Sequence, residues 1–150
     1  MQRKKPKTIP PTYFYICIIF NVAIIFLLPS LNLINSPYNL LGIFPIIFGF
    51  YLIARAYYIF KMYKTPEKFE KSTYLVTSDI YKYSRNPMYL GAIIFLIGLA
   101  VLCKNLIGFL SPIFLFLILN FVFIPYEEKK TARELGEKYL KYKNKVRRWI

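Results

Sequence analysis

Long apolar runs alternate with short lysine-rich stretches along this chain, and this segregation constrains the fold more than any other feature. The 150 residues are 57% hydrophobic, yet their net charge is +14. A bilayer core about 30 Å thick needs about 20 apolar residues per spanning helix. Runs close to that length recur here. We therefore expect an all-α integral membrane protein with about four transmembrane helices.

The apolar runs set the bounds of the expected spans. They cover residues 13–34, 38–60, 87–103 and 106–124, and a charged tail follows at 126–150. Only two turn residues, Lys104 and Asn105, separate the last two runs, which indicates a tight helical hairpin. We expect the spans and the tail to form a single membrane domain over residues 1–150.

Positive charge is distributed unevenly among the segments between the spans. Nearly all of the 21 Lys and Arg residues lie in the N-terminal arm, in the central stretch at 61–85 or in the tail. With four spans, these three segments share one side of the membrane. Cytoplasmic segments are enriched in Lys and Arg, so we expect both termini in the cytoplasm. The apolar runs also leave no basic face on a soluble domain, which argues against nucleic-acid binding.

The tail has the pattern of an amphipathic helix. Its apolar positions repeat at intervals of three and four residues, which places them on one helical face: Leu135, Tyr139, Tyr142, Val146 and Trp149. Two interpretations are open. The helix lies at the membrane interface as an anchor, or it folds back as a lid over the cytoplasmic ends of the spans.

The inventory of reactive side chains is narrow. The chain has no histidine, and both of its cysteines lie inside apolar runs. The lack of histidine excludes His-based metal sites, His general bases and Ser-His triads. Any proton chemistry must therefore use Glu, Asp, Tyr, Lys or water, and we expect no metal centre.

Polar features suited to a site concentrate near the charged ends of the spans. Asn86 and Pro87 have the residue types of a helix start, whose N–H groups favour a carboxylate or phosphate. Glu127 and Glu128 interrupt a basic region, either as functional carboxylates or as an ordinary salt-bridged helix start. Arg55 lies within the second span and either extends to the interface or pairs with a site carboxylate.

These polar features coincide with the motifs of a known family. The run LVTSDIYKYSRNPMYLG at 75–91 is followed, after the hairpin, by EE at 127–128 and LGEKYLKYKNKVRRW at 135–149. Together they resemble the isoprenylcysteine carboxyl methyltransferase and phospholipid methyltransferase superfamily. Its pattern is roughly LVTSGxYxxxRHPxYxG, then EE, then FGxxYxxY and V-x-R. The resemblance covers the chain from Leu75 to its end.

The resemblance implies an integral membrane methyltransferase that uses S-adenosyl-L-methionine. The cofactor would lie at the cytoplasmic ends of the last spans, and the hydrophobic methyl acceptor would enter from the bilayer among membrane lipids. Implied catalytic residues are Arg85, Glu127 and Glu128. Implied cofactor contacts are Thr73, Tyr74, Leu75, Val76, Tyr81, Asn86, Pro87, Met88, Tyr89 and Glu127.

Three positions depart from the family pattern. Asn86 replaces a His, Asp79 replaces a Gly, and Phe123 stands where some carboxyl methyltransferases of the family have a substrate-binding Arg. The last change weakens the case for a prenylcysteine carboxylate, unless Arg55 takes that role. Two other functions stay open, a membrane reductase with a nicotinamide cofactor and a non-catalytic membrane protein.

Overall fold

A computed structural model describes residues 8–27, 34, 36–64 and 75–150, and every regular element in this part of the chain is helical. The fold class expected from the sequence is therefore confirmed. The α-helices are α1 (Pro10–Leu27), α2 (Ile43–Lys64), α3 (Pro87–Leu102), α4 (Leu110–Ile118), α5 (Ile124–Leu135) and α6 (Glu137–Lys145). The same part of the chain has three short 3₁₀ turns and one π-helical turn. The 3₁₀ turns are Tyr38–Gly42, Asp79–Lys82 and Leu106–Phe109, and the π-helical turn is Leu119–Phe123.

Three helical segments in the described ranges are long and apolar enough to cross a membrane: Pro10–Leu27, Tyr38–Tyr63 and Leu106–Leu135. The third expected span, α3, is also apolar but has only 16 residues. Its bounds agree with the prediction to within one residue. The second span continues four residues past its predicted end at residue 60. Most of the predicted extension of the first span, at 28–33, lies outside the described residues.

Helices α2 and α3 are antiparallel and pack at the distance that only glycine allows. Gly49 faces Gly91, and Gly42 faces Gly98. A Cβ atom added to Gly49 would lie 2.5 Å from the carbonyl oxygen of Gly91, and one added to Gly91 would lie 2.7 Å from that of Gly49. Small residues let helix backbones approach closely in membranes, where van der Waals packing supplies much of the association energy.

Helix α1 packs against the last span through residues that include Tyr13, Cys17 and Asn21. Near the start of α1, the rings of Tyr13 and Phe123 meet edge to face, with centroids 5.6 Å apart. Further along, the amide nitrogen of Asn21 donates to the Cys17 carbonyl and to the Ser111 hydroxyl. These contacts make α1 antiparallel to the last span. The start of α1, the end of α2, the start of α3 and helix α5 therefore share one end of the bundle, here named the charged end.

The tail is not the single helix that its apolar spacing predicts. Gly136 has φ +54°, a left-handed conformation that favours glycine, and it separates α5 from α6. Helix α6 ends at Lys145, because Val146 is extended with φ −119° and ψ 131°. Trp149 therefore lies beyond the helix. Tyr139 and Tyr142 are buried against the rest of the protein, so the tail folds back on the charged end.

Candidate active site

Helix α3 begins as the sequence predicts, but its N-cap side chain has a different partner. Asn86 occupies the N-cap position and Pro87 the first helical turn. The Asn86 amide does not cap the helix. Its Nδ2 atom donates to the main-chain carbonyl of Arg148 at 3.0 Å. The residue that replaces the family's His thus binds the C-terminal segment to the start of α3.

Tyr89, in the first turn of α3, contacts Glu127 on α5. The Tyr89 hydroxyl donates to Glu127 Oε1 at 2.6 Å, across 38 residues of sequence. Both side chains are partly buried. Among the described residues, no Lys or Arg nitrogen lies within ion-pair distance of Glu127. This carboxylate is therefore oriented by a neutral phenol and keeps capacity for a cationic ligand.

The adjacent carboxylate of Glu128 is in a different environment. It is 9% exposed, and three cations surround it. Arg85 lies 3.1 Å away, Arg148 forms a two-pronged contact at 3.1 and 3.2 Å, and Lys143 lies at 3.4 Å. Arg148 and Lys143 both belong to the tail. Glu128 therefore joins α5, the start of α3 and the tail in one ion-pair network.

Arg85 is buried on the inner side of this network. Only 9% of its side chain is exposed, and Nη1 lies 3.4 Å from the hydroxyl of Tyr139. Burial raises the pKa of that hydroxyl, which therefore stays neutral. The Nε atom of Arg85 finds no hydrogen-bond partner among the described residues. A buried donor without an acceptor costs folding free energy, so a ligand oxygen or a water is expected to accept from this atom.

The C-terminal segment 146–149, here named the strap, follows α6 and crosses residues 84–86. The Tyr142 hydroxyl donates to the Tyr81 carbonyl at 2.7 Å, and the Arg85 amide donates to the Arg147 carbonyl at 3.1 Å. Trp149 packs on Phe116, and its Nε1 donates to Asn120 Oδ1 at 3.2 Å. Of the two interpretations of the tail, folding back over the ends of the helices agrees with these contacts.

The other residues implied by the resemblance have varied positions. Burial raises the pKa of Tyr81 to about 12, so its phenol is neutral, and its hydroxyl lies 3.5 Å from the Ala56 carbonyl. Leu75 lines a groove beside Tyr142. Val76 and Met88 are half-buried. Thr73 and Tyr74 lie outside the described residues.

Phe123 and Arg55 are both engaged within the protein. Phe123 is 3% exposed and belongs to the hydrophobic core beside Tyr13. The Arg55 guanidinium pairs with Asp79 and lies 5.9 Å from the ring centroid of Tyr58. The hydrogen bond from Arg55 holds the pKa of Asp79 below its usual value. Asp79 itself has φ 57°, which explains a glycine at this position in the family pattern.

Asn120 and Arg148 complete the network, although neither is among the site residues that the resemblance implies. Arg148 Nη1 donates to Asn120 Oδ1 at 3.1 Å, inside the π-helical turn at Leu119–Phe123. A lone amide within an apolar run is a signal that could have identified Asn120. Arg148 is the Arg of the V-x-R pattern, and that motif is the signal that distinguishes it from the other basic residues of the tail.

The described residues contain no group of three or more His, Cys, Asp and Glu side chains that could hold a metal ion. The fold and the cluster together define a helical membrane protein with a polar site at the charged end of its helices. The chain belongs to the phospholipid methyltransferase family, whose pattern it matches over residues 38–138. It is therefore a membrane methyltransferase in the general sense of that family.

One curated relative is an uncharacterized protein from Haemophilus influenzae. It is 33% identical over 63 residues, which make up 42% of this chain and the full length of that protein. No solved structure matches this chain significantly.

Proposed function

We propose that this protein transfers a methyl group from S-adenosyl-L-methionine to a lipid-soluble acceptor in the membrane. One observation carries the proposal: three protein cations surround Glu128, whereas Glu127 accepts from the Tyr89 hydroxyl and has no described Lys or Arg within ion-pair distance. Lys130 acts on Glu127 only from a greater distance. The cofactor has an ammonium group, and a partly buried carboxylate without an ion-pair partner is suited to bind it.

The residues around Glu127 fit the rest of the amino-acid part of the cofactor. The Nε atom of Arg85 and the first N–H groups of α3 are donors for its carboxylate. Leu75 and Val76 are half-buried apolar residues, and the proposal includes both as further cofactor contacts. The remaining contacts implied by the resemblance are part of the same proposal: Thr73, Tyr74, Tyr81, Asn86, Pro87 and Met88.

When bound, the cofactor supplies an electrophilic methyl group on its sulfonium sulfur. The protein contributes alignment of the two reactants, which accounts for much of the rate of such displacements. Tyr89 fixes the Glu127 carboxylate by its hydrogen bond. The ion pairs of Glu128 support a positioning role for Glu128 and Arg85, since they hold the strap across the site. The strap also limits the access of water.

The acceptor would enter from the bilayer. Isoprenylcysteine carboxylates, phospholipid amines and other small hydrophobic groups are the classes that the resemblance implies. Phe123 is in the core and Arg55 is paired with Asp79, so neither position offers an unpaired cation to a substrate carboxylate. These contacts support an acceptor without a carboxylate, such as an amine. Incubating membranes with labelled cofactor and identifying the labelled lipid tests this choice, and a labelled carboxyl methyl ester would contradict it.

The proposal includes an orientation in which both termini and the charged end face the cytoplasm. Lys138 on α6 and Lys104 at the opposite end of α3 make a matched pair for labelling. Single cysteines at these positions, in a chain without Cys17 and Cys103, should react from opposite sides. Reaction of Lys138→Cys with an impermeant reagent from outside intact cells would contradict the orientation.

Calorimetric titration of the detergent-purified protein with S-adenosyl-L-methionine tests the function. A hydrogen bond to a charged group contributes roughly 1.5–3 kcal/mol. Glu127→Gln should therefore weaken binding about ten- to a hundredfold. Glu134→Gln is the matched control, because Glu134 is an exposed carboxylate on the same helix.

Two results would contradict the proposal. If the folded wild type does not bind the cofactor, the family resemblance would reflect common ancestry without the activity. NADPH binding in place of the cofactor would favour the reductase. Equal affinities for the Glu127→Gln and Glu134→Gln variants would place the ammonium elsewhere.

A further inference from the structure

A second polar feature lies beside the candidate active site. It is a groove of about 450 Å³ between residues 75–82 and helix α6. Four lysines line it: Lys82 from the 3₁₀ turn, and Lys138, Lys141 and Lys145 from α6. The three α6 lysines are three and four residues apart, so they share one face of the helix.

Little acidic charge offsets this groove within the described part of the protein: Lys82 acts on Asp79 only from beyond ion-pair distance, and Asp79 is itself paired with Arg55. None of the four lysines forms an ion pair with a described carboxylate, and no described residue that lines the groove is acidic. Lys143, on another face of α6, pairs with Glu128 instead. Like charges held together in a concave site raise the local concentration of anions. The groove is therefore suited to an anionic ligand.

The groove also has an apolar side. Leu75, Tyr142 and Val146 line it together with the lysines, and Tyr142 is buried. Close to it, Tyr83 is 75% exposed and Leu140 is 50% exposed. Exposed aromatic and aliphatic side chains next to lysines are typical of protein surfaces that lie at a membrane interface. A ligand with both a charged group and an apolar part fits this lining better than a fully hydrated ion does.

The position in the fold agrees with a membrane ligand. The 3₁₀ turn that contributes Lys82 ends five residues before Pro87, where the apolar helix α3 begins. The groove therefore lies at the level at which the bundle leaves its apolar region. The Glu127–Tyr89 pair belongs to α5 and α3, and neither residue lines the groove.

We propose that this groove binds the phosphate-bearing headgroup of an anionic phospholipid at the membrane surface, separately from the cofactor and the methyl acceptor. The lysine ammonium groups would contact the phosphate, and Val146 would contact the glycerol region. Because Tyr142 also holds the Tyr81 carbonyl, a lipid in the groove would fasten α6 in its folded-back position.

The test is a binding titration of the full-length protein in a neutral detergent with short-chain phosphatidylglycerol. Short-chain phosphatidylcholine, which has no net charge, is the comparison lipid. Each lysine near a membrane surface contributes about fivefold in affinity for anionic lipid, so Lys138→Gln/Lys141→Gln/Lys145→Gln should lose about a hundredfold. The control variant Lys129→Gln/Lys130→Gln/Arg133→Gln removes the same charge from α5 and should keep wild-type affinity.

Three results would overturn the proposal. They are an unchanged affinity in the groove variant, an equal loss in the control variant, and displacement of phosphatidylglycerol by inorganic phosphate at a similar concentration. The single variant Lys141→Gln, with an expected loss of about fivefold, covers the case in which the triple variant does not fold. Affinity for S-adenosyl-L-methionine should be unchanged in all groove variants, so the outcome is independent of the proposed methyltransferase function.

Discussion

The α2–α3 interface and the charged end are stabilised by different interactions. At the interface, Gly49 and Gly91 bring two backbones into direct contact. At the charged end, Glu128 connects α5, the start of α3 and the tail through three cations. The first arrangement depends on shape and tolerates no added atoms. The second depends on charge, so it responds to salt and to the loss of a single carboxylate.

The candidate site lies where these two regions meet. Tyr89 is two residues before Gly91, so its position is set by the contact of α3 with α2. Glu127 is next to Glu128, so its position is set by the ion pairs of α5. The two halves of the Tyr89–Glu127 pair can therefore be disturbed separately, by changes in one region that leave the other intact.

The largest effect is expected from Gly91→Val. Its Cβ would lie 2.7 Å from the Gly49 carbonyl and 2.9 Å from the Leu52 Cβ, so the two helices must separate. Overpacking a tight contact costs about 1–3 kcal/mol for a few added methylenes, and more when backbone has to move. We expect little folded protein on size exclusion and a large fall in Tm.

Ala54→Val is the control for this change. Ala54 is exposed on α2, so the same added methyl groups meet no backbone there. Equal Tm values for Gly91→Val and Ala54→Val would show that the close approach of α2 and α3 does not determine stability.

A smaller and local effect is expected from Glu128→Gln. The change removes the anion shared by Arg85, Arg148 and Lys143, and it leaves the buried Arg85 without a counter-charge. Charged hydrogen bonds contribute about 1.5–3 kcal/mol. We expect α6 and the strap to lose about that much protection in hydrogen exchange, while α2 and α3 keep theirs.

Glu134→Gln separates a local effect from a general charge effect. Among the described residues Glu134 pairs only with Lys130, at 3.8 Å, and surface pairs of this kind contribute about 0.2–1 kcal/mol. If both variants expose residues 139–149 to exchange equally, the network does not hold the strap.

The bounds of α3 were predictable because strong signals mark both of its ends. Asn86 and Pro87 begin it, and Lys104 and Asn105 follow its end. The end of the last span was not predictable from hydropathy. The helix continues past the apolar run into charged residues as far as Leu135, because helix propensity does not require apolarity.

The tail shows a limit of periodicity. The spacing of apolar residues correctly predicted that Tyr139 and Tyr142 share a buried face. It did not predict the break at Gly136 or the extended backbone at Val146, since a hydrophobic pattern contains no information on φ.

Polarity and position alone drew attention to Asn86 and Glu127, but Tyr89 was predictable as a site residue only through the resemblance. Tyr89 and Glu127 are 38 residues apart, and no spacing rule joins them. The sequence alone does not predict that the adjacent residues Glu127 and Glu128 have different environments. Neighbouring positions on a helix point about 100° apart, so one carboxylate meets α3 and the other meets the tail.

The smallest effect is expected at Asp79, between the two regions. Asp79→Gly loses the pair with Arg55 but suits the left-handed backbone at φ 57°, whereas Asp79→Ala loses the pair and keeps the backbone strain. Both side chains of the pair are well exposed, so its contribution is small. We expect a Tm close to wild type for the Gly variant and a lower one for the Ala variant.

The pH dependence of Tm shows whether the Arg55 pair contributes at all. Arg55 holds the pKa of Asp79 below its usual value, so the stabilisation is complete above the unfolded pKa of about 3.9. It is lost as the pH falls through the lower folded pKa, because protonated Asp79 no longer pairs. The Tm advantage of wild type over Asp79→Ala should therefore be constant near neutral pH and shrink in acid. An advantage that stays the same in acid would assign the difference to another cause.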